Sequence, residues 1–346
     1  MNPFWILDFG FPIEDSSRKR VYRLALCAML FAFCASTEAQ QAAKVHRIGL
    51  LISPSAASMA PFIESFRQGM RELGYIEGKN LALEIRGGGA ESTRIADRAA
   101  QLVNLKVDVI VAEAGPAVIA AKRATSNIPV VIRVGVDPVR MGVVESLAHP
   151  GGNITGVASI TVGLVGKRFE LLAELVPGAR RIAILTGLSD RARFTATDEY
   201  KEVDAAARVL GVKLQELFAQ DPDAIDDAFP AMTREGAQAL IVMPSPRYFQ
   251  QRERIIKHAA KNRLPAIYSQ SIFVQNGGLM SYGADYVDEY RRLAIYVDKI
   301  LRGAKPADLP IEQPTKFELV INLKTAKQIG VTIPANVLVR ADKVIK

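Results

Sequence analysis

Serine, glycine and proline residues recur in the loops of this chain that are best suited to hold a small molecule. These loops follow the first, third and fourth predicted strand of each half of the sequence. Serine hydroxyls and free backbone N–H groups at helix N-termini suit a carboxylate or another small anion. The predicted ligand-binding residues are Ser53, Ser55, Gly115, Pro116, Ala117, Asp137, Pro244, Ser245, Ser269, Tyr282 and Asp285.

Three acidic residues near these loops could instead bind a ligand ammonium group by charge pairing. They are Glu113, Asp137 and Asp285. Glu113 is expected to be a solvated loop acid rather than a ligand contact.

Structural interpretations of the same side chains remain open. Ser53 and Ser55 could cap the helix that follows them. Asp137 precedes a proline, and the dipeptide Asp-Pro is common in turns and helix caps. Tyr282 could stack on an aromatic ligand or cover a hinge.

Catalytic and cofactor signals are weak. The sequence contains no Gly-x-Ser-x-Gly elbow and no Gly-x-x-x-x-Gly-Lys loop, and Gly87-Gly88-Gly89 lacks the full spacing of a nucleotide site. None of the histidines has a metal-ligand spacing; they are His46, His149 and His258. We therefore expect a protein that is not an enzyme and that binds no cofactor or metal.

Short apolar strands and amphipathic helices alternate along the chain and must position these loops. Runs rich in Val and Ile that do not alternate with polar residues predict parallel strands covered by helices on both faces. In the first half, strands are predicted at 48–52, 81–85, 107–112 and 129–134. In the second half, they are predicted at 181–186, 213–218, 239–243 and 265–269.

The two halves nearly repeat each other. The segment 46–51 resembles 180–185, and three later landmarks return in the same order at nearly the same spacing. The pattern predicts an α/β fold with two Rossmann-like lobes that face a common cleft. The first crossing between them is expected in the turn-rich stretch 147–156, and the long tail after position 270 is expected to return to the first lobe and form a hinge.

Domain boundaries follow from this pattern. The first lobe is predicted to comprise 44–157 and 284–316, and the second 158–283 and 317–346.

The N-terminal segment and the charge distribution indicate where the protein acts. Basic residues at 18–23, an apolar run at 24–35 and small residues up to Ala39 predict a signal peptide within 1–39, and hence a periplasmic protein. Both cysteines lie in this segment. The net charge is +8, but Lys and Arg are interleaved with acids, so no nucleic-acid partner is expected.

Several longer motifs resemble one protein family. They are the segments 66–75 (FRQGMRELGY), 77–81, 137–139, 150–156 (PGGNITG), 167–168 and 321–326. The chain is similar in them to the substrate-binding proteins of bacterial ABC transporters, in the family that includes tryptophan- and tyrosine-type binding proteins. The resemblance implies a type I periplasmic binding fold, in which a three-strand hinge joins two lobes that close on a ligand.

One departure from the family pattern concerns the ligand. Where such proteins often carry Gly-Thr-Pro after the third strand, this chain has Gly115-Pro116, preceded by Ala114. A hydroxyl that could hold a ligand carboxylate is therefore missing, and Glu113 adds negative charge there. This departure disfavours an aromatic amino acid as the ligand.

The sequence thus predicts a monomeric periplasmic receptor that captures a small molecule, such as an amino acid or a small carboxylate, and delivers it to an ABC permease in the inner membrane. One alternative is a ligand-binding sensor that partners a membrane signalling protein. Another is a periplasmic α/β enzyme that uses Asp137 or Glu113 as a base. The predicted signal peptide and the lack of an N-terminal helix-turn-helix disfavour a third, the core of a cytosolic sugar-type repressor.

Overall fold

The first sheet is built from apolar runs in the first half of the chain. The computed structural model describes residues 44–87, 94–160, 163–314 and 316–346. Within these residues, five parallel strands lie in the order β2-β1-β3-β4-β5. The strands are β1 (His46–Ile52), β2 (Leu81–Gly87), β3 (Val109–Glu113), β4 (Val130–Val134) and β5 (Ile154–Ala158).

Three helices between these strands cover the sheet. They are α1 (Ala60–Glu72), α2 (Ile95–Asn104) and α3 (Gly115–Ala124). On α1, the buried residues Phe62, Phe66 and Met70 recur at helical spacing, so one face of the helix packs on the core. Gly74 follows α1 with a φ of 91°, a conformation that favours glycine and ends the helix.

The second sheet repeats this pattern and adds three strands from the tail. Its order is β12-β11-β10-β9-β8-β6-β7, and only the pair β10–β11 is antiparallel in the part of the sheet that the structure describes. The strands are β6 (Arg181–Thr186), β7 (Lys213–Phe218), β8 (Ala239–Val242), β9 (Ala266–Tyr268), β10 (Met280–Ala284), β11 (Phe317–Asn322) and β12 (Lys343–Ile345).

The helices of the second half are distributed over both sheets. They are α4 (Leu164–Leu175), α5 (Arg191–Thr195), α6 (Asp198–Leu210), α7 (Pro222–Glu235), α8 (Pro246–Gln250), α9 (Arg252–Lys261), α10 (Ser271–Gln275), α11 (Tyr286–Leu301), α12 (Leu323–Ile329) and α13 (Ala335–Leu338). Helix α11 returns to the first sheet, where it packs against α1, β4 and β5. We call β1–β5 with α1–α3 and α11 the first lobe, and the other elements the second lobe. The predicted α/β fold with two mainly parallel lobes is confirmed.

The chain passes between the lobes at three places. It crosses after β5, again at Asp285 between β10 and α11, and a third time between Ile311 and β11. The prediction that the first crossing lies in 147–156 is wrong, because β5 extends the first sheet beyond that stretch. The glycines that suggested a crossing instead form a turn before β5, where Gly151 and Gly152 have φ values of 68° and 61°.

Apolar side chains join the lobes into one compact unit that spans 46–346. The rings of Phe62 on α1 and Phe249 on α8 are 5.9 Å apart between centroids, within a buried cluster that includes residues of both lobes. The predicted signal peptide lies outside the described residues. Over the ranges that the structure describes, no helix has both the length and the apolar character to cross a membrane.

Candidate functional site

A cavity of about 330 Å³ lies between the lobes, where several strands of both sheets end. In parallel α/β sheets, this edge is where ligands bind, and the volume is in the range of small-molecule sites. The first lobe lines it with Pro54, Met59, Glu113, Ala114, Gly115, Pro116, Arg133, Gly135, Val136 and Tyr286. The second lobe contributes Glu199, Pro244, Ser245, Pro246, Phe249 and Gln270.

A buried group of charged residues forms one wall of the cavity. Arg133, on β4, lies 2.8 Å from a carboxylate oxygen of Glu289 and 3.5 Å from one of Glu113. Its guanidinium also stacks on the Tyr286 ring, 3.6 Å from the centroid. Ser159 donates a hydrogen bond to the other oxygen of Glu289. The arginine is therefore already surrounded by acceptors before any ligand binds.

Glu113 differs from its sequence prediction. The sequence predicts a solvated loop acid, but the side chain is buried and the residue is only 5% exposed. Burial raises the pKa of Glu113 to about 7; the charge of Arg133 opposes this shift and that of Glu289 adds to it. The prediction failed because Glu113 is the last residue of β3, with α11 and β4 packed around it, rather than a loop residue.

Two oxygen atoms at the cavity have no hydrogen-bond partner among the described residues. One is Oε2 of Glu113, in the first lobe, and the other is Oε1 of Gln270, in the second. The Nε2 atom of Gln270 donates to the hydroxyl of Tyr286 at 2.5 Å, a bond that crosses from the second lobe to the first. Buried polar atoms are rarely left unpaired in folded proteins. Both atoms therefore mark places where a ligand could supply a donor.

The backbone is strained at the same edge. Ala114 precedes α3 with φ 68° and ψ 157°, a conformation that is almost confined to glycine. It turns the chain directly from β3 into Gly115 and Pro116 at the start of α3, and all three residues line the cavity. Such strain is common at binding sites, where the surrounding structure holds it in place.

The structure brings four of the predicted ligand-binding residues to the cavity wall. Gly115 and Pro116 lie at the start of α3, and Pro244 and Ser245 follow β8. These positions come from corresponding strand ends of the two lobes.

Three other predicted residues lie close to the cavity but do not line it. Ser53 is buried and donates a hydrogen bond to the carbonyl oxygen of Glu113 at 3.2 Å. Ala117 is buried inside α3. Ser269 is buried at the end of β9, beside a smaller pocket that Gln270 also lines.

The other four predicted residues have local structural partners. Ser55 accepts a hydrogen bond from the backbone of Ser58. Asp285 caps α11 through bonds from the first turn of the helix, and Asp137 accepts the N–H of Val139 at 2.8 Å. The ring of Tyr282 packs on Phe317, the first residue of β11.

A second cavity, of about 370 Å³, continues the cleft outward. It shares Gly135, Val136 and Glu199 with the first, and it is also lined by Asp137, Arg140, Met141, Ala196, Thr197 and Asp198. Arg140 of the first lobe and Asp198 of the second form an ion pair across this part of the cleft. The exposed ion pair thus lies at the outer part of the space between the lobes.

Sequence reasoning missed several residues that line the inner cavity. Arg133 was visible as a lone charge within the apolar strand VVIRV, since a charged residue in a buried strand needs a partner. Tyr286 also lines the cavity, and Glu289 holds Arg133 from behind; both lie in the tail, outside the two repeated halves. Phe249 and Gln270 follow strands β8 and β9, but they carried no distinctive signal.

No group of three or more His, Cys, Asp or Glu side chains could hold a metal ion within the ranges that the structure describes. The two cavities present carboxylates, the arginines Arg133 and Arg140, and the rings of Phe249 and Tyr286.

Comparisons with known proteins agree with this architecture. Residues 47–345 match the family described as ABC transporter substrate binding protein. A tyrosine-binding protein of Clostridioides difficile is 25% identical over 287 residues, which cover 83% of this chain and 81% of the relative.

Solved structures show the same similarity. A conserved domain protein from Vibrio cholerae superposes on this chain with a TM-score of 0.78 at 27% identity. The match covers 87% of this chain and 100% of the chain of that protein. A domain from Streptococcus pneumonia in complex with L-Trp has a TM-score of 0.76 at 26% identity, with the same coverage of 87% and 100%.

Proposed function

Because the chain belongs to the family of ABC transporter substrate binding proteins, we propose that it is a non-catalytic periplasmic receptor. It captures a small molecule between its lobes and delivers it to an ABC permease in the inner membrane. The observation that carries the proposal is the inner cavity, which lies at the strand ends of both lobes and is lined by both. A ligand there contacts both lobes. It stabilises the closed arrangement because it binds that arrangement more tightly than the open one.

An amino acid is the ligand class that we propose, in preference to a small carboxylate without an amino group. Relatives support an amino acid, since one is a tyrosine-binding protein and another was solved with L-Trp. The rings of Phe249 and Tyr286 offer an apolar wall for a side chain. In its charged form, Glu113 on the same wall would repel a lone carboxylate but attract the ammonium group of an amino acid.

Thermal unfolding with a ligand panel tests the receptor function. The protein is expressed with its own leader, purified from the periplasmic fraction, and mixed with amino acids, amines, small carboxylates and sugars. A ligand at one hundred times its Kd should stabilise the folded state by about 2.7 kcal/mol and raise the Tm. Titration calorimetry then checks that the ligand binds at one site. If no class of solute shifts the Tm, a receptor function is contradicted.

An uptake measurement tests delivery to a permease. In the organism that carries this gene, deletion should abolish high-affinity uptake of the radiolabelled ligand, and a plasmid copy should restore it. Unchanged uptake together with intact binding would instead favour the sensor function.

A further inference from the structure

We infer that the cleft selects its ligand by a protonated amino group, which binds at Glu113, and that a free carboxylate on the ligand is not required. This inference rests on the proposed receptor function and narrows its ligand class to organic amines, including amino acids. Three features of the cleft support it: the unpaired oxygen of Glu113, the charges that line the cleft and the arrangement around Arg133.

The first observation is the open acceptor on Glu113. Its Oε1 atom is 3.5 Å from Arg133, while its Oε2 atom is buried and has no partner among the described residues. Because an ammonium group donates up to three hydrogen bonds, it can pair with this oxygen and with the unpaired Oε1 of Gln270 in the opposite lobe. An ammonium group beside Glu113 also favours the charged form of that carboxyl group, and a ligand carboxylate has no donor to offer this form or Gln270.

The second observation is the acidic character of the cleft in a basic protein. The chain carries a net charge of +8. The two cavities are nevertheless lined by four acids and two arginines: Glu113, Asp137, Asp198, Glu199, Arg133 and Arg140. A cleft with an excess of negative charge concentrates cations and disfavours anions.

The third observation is that both arginines are already paired. Arg133 is only 3% exposed, and it is held by Glu289, Glu113 and the Tyr286 ring. Arg140 pairs with Asp198. A ligand carboxylate would have to displace an acid of the protein to reach either guanidinium. The two arginines that line the cleft are therefore held by acids of the protein, while Glu113 and Gln270 keep acceptors open to a cation.

Matched ligand series test the inference. Each series keeps one side chain and varies the polar end: the amino acid, the amine without the carboxylate, and the acid without the amino group. Tyrosine, tyramine and 3-(4-hydroxyphenyl)propionate form one series, and the phenyl, indole and alkyl analogues form others. In the series that binds, we expect the amine to bind within about tenfold of the amino acid and the acid to bind at least about tenfold more weakly than the amine.

A variant assigns the effect to Glu113. Glu113→Gln keeps the shape of the side chain and removes its charge, and it should weaken amine binding by at least about tenfold. Glu253→Gln, at an exposed position on α9, serves as the control and should leave binding unchanged. Circular dichroism and a melting curve confirm that both variants fold.

The outcomes separate the inference from the receptor function. If the acids bind as tightly as the amines, if the amines fail where the amino acids bind, or if Glu113→Gln leaves amine affinity unchanged, the inference is overturned while the receptor function stands. If no member of any series binds but another class of solute raises the Tm, the inference is overturned while the receptor function stands. Both are contradicted only if no class of solute raises the Tm.

Discussion

Glu113 is a carboxylic acid that the fold holds partly protonated near neutral pH. Charged or titratable groups face it from two elements: Arg133 on β4, and Tyr286, Glu289 and Tyr290 on α11. Its pKa in the folded protein, about 7, lies above the ordinary value of 4.5 because burial disfavours the charged form. In the pH range between these values, the folded state therefore binds a proton that the unfolded state has lost.

This difference predicts how the stability of the unliganded protein depends on pH. The folded state is stabilised because it holds the proton of Glu113 more tightly than the unfolded state does. This stabilisation is fully present below about pH 4.5 and is lost as the pH rises to about 7. The Glu113→Gln variant has no titrating group there. The free energy of unfolding of the wild type, minus that of the variant, should therefore fall between pH 5 and pH 7 and level off above that.

Urea unfolding at pH 5, 6, 7 and 8 measures this difference. Glu253→Gln, exposed on α9, provides the matched control. A difference between wild type and Glu113→Gln that does not change with pH would contradict the raised pKa.

Ala114 is a second residue whose conformation is set by its neighbours rather than by its own preference. Its φ of 68° and ψ of 157° are costly for any residue with a Cβ, by about 1–3 kcal/mol. Glycine relieves that strain but loses more entropy on folding, by about 0.5–1 kcal/mol. We expect Ala114→Gly to raise the free energy of unfolding by about 1 kcal/mol.

Chemical denaturation of two variants checks this expectation. Ala117→Gly, three residues later inside α3, is the control, because its backbone is helical and glycine should there be destabilising by about 1 kcal/mol. If both substitutions destabilise the protein equally, Ala114 stores no strain.

At the scale of elements, β10 positions the tail residues of the site. It lies between β9 and β11, and the chain then crosses to α11, which carries Tyr286 and Glu289. A Cβ atom on Gly283 would lie only 2.0 Å from the carbonyl oxygen of Ser269, the residue that follows β9. The close approach of these two strands therefore requires a glycine at this position.

Gly283→Ala should consequently destabilise the protein by about 2–3 kcal/mol, because only backbone movement can relieve the clash. Ser281→Ala, two residues earlier in the same strand, is the control. The hydroxyl of Ser281 is buried and has no partner among the described residues, so its removal should be neutral or slightly stabilising. Urea unfolding measures both variants. A Gly283→Ala protein as stable as the wild type would show that β9 and β10 can separate at little cost.

The sequence predicted those elements whose own residues specify them. Buried strands such as β3 and β4 consist almost entirely of apolar residues, and both lie close to their predicted positions. Strand β5 was missed because its residues, ITGVA, follow a glycine-rich turn and include Gly156, whose Cβ would meet the backbone of Ile132 at 2.2 Å. That strand depends on a close tertiary approach to β4, which no local pattern reports.

The candidate site was predictable only where it belongs to the repeat. Gly115, Pro116, Pro244 and Ser245 follow corresponding strands of the two lobes, and all line the cavity. The charged wall could not be assembled from sequence. It joins Arg133 on β4 with Glu289 on α11, residues 156 positions apart that meet only because the tail returns to the first lobe.

At the scale of the whole molecule, the lobes are held together by apolar contacts, by the hydrogen bond from Gln270 to Tyr286 and by an exposed ion pair. The apolar contact between Phe62 and Phe249 lies beside the inner cavity. The ion pair between Arg140 and Asp198 lies farther out, and the Arg140 side chain is 68% exposed. An exposed ion pair contributes little to stability and is screened by salt. It can nevertheless shift the balance between open and closed lobes, because that balance responds to small free energies.

Arg140→Gln should therefore populate the open arrangement more in the unliganded protein without unfolding it. Small-angle X-ray scattering at low salt is expected to give a larger radius of gyration for this variant than for the wild type. Arg123→Gln, exposed on α3, is the matched control and should scatter like the wild type.

At about 1 M salt, where charges are screened beyond roughly 3 Å, the difference in radius of gyration between Arg140→Gln and the wild type should nearly vanish. Ligand binding should weaken by only a few-fold, because the inner cavity and its charged wall are unchanged. Identical scattering curves at low salt would mean that the ion pair does not influence closure, and that the ligand and the other contacts between the lobes determine it.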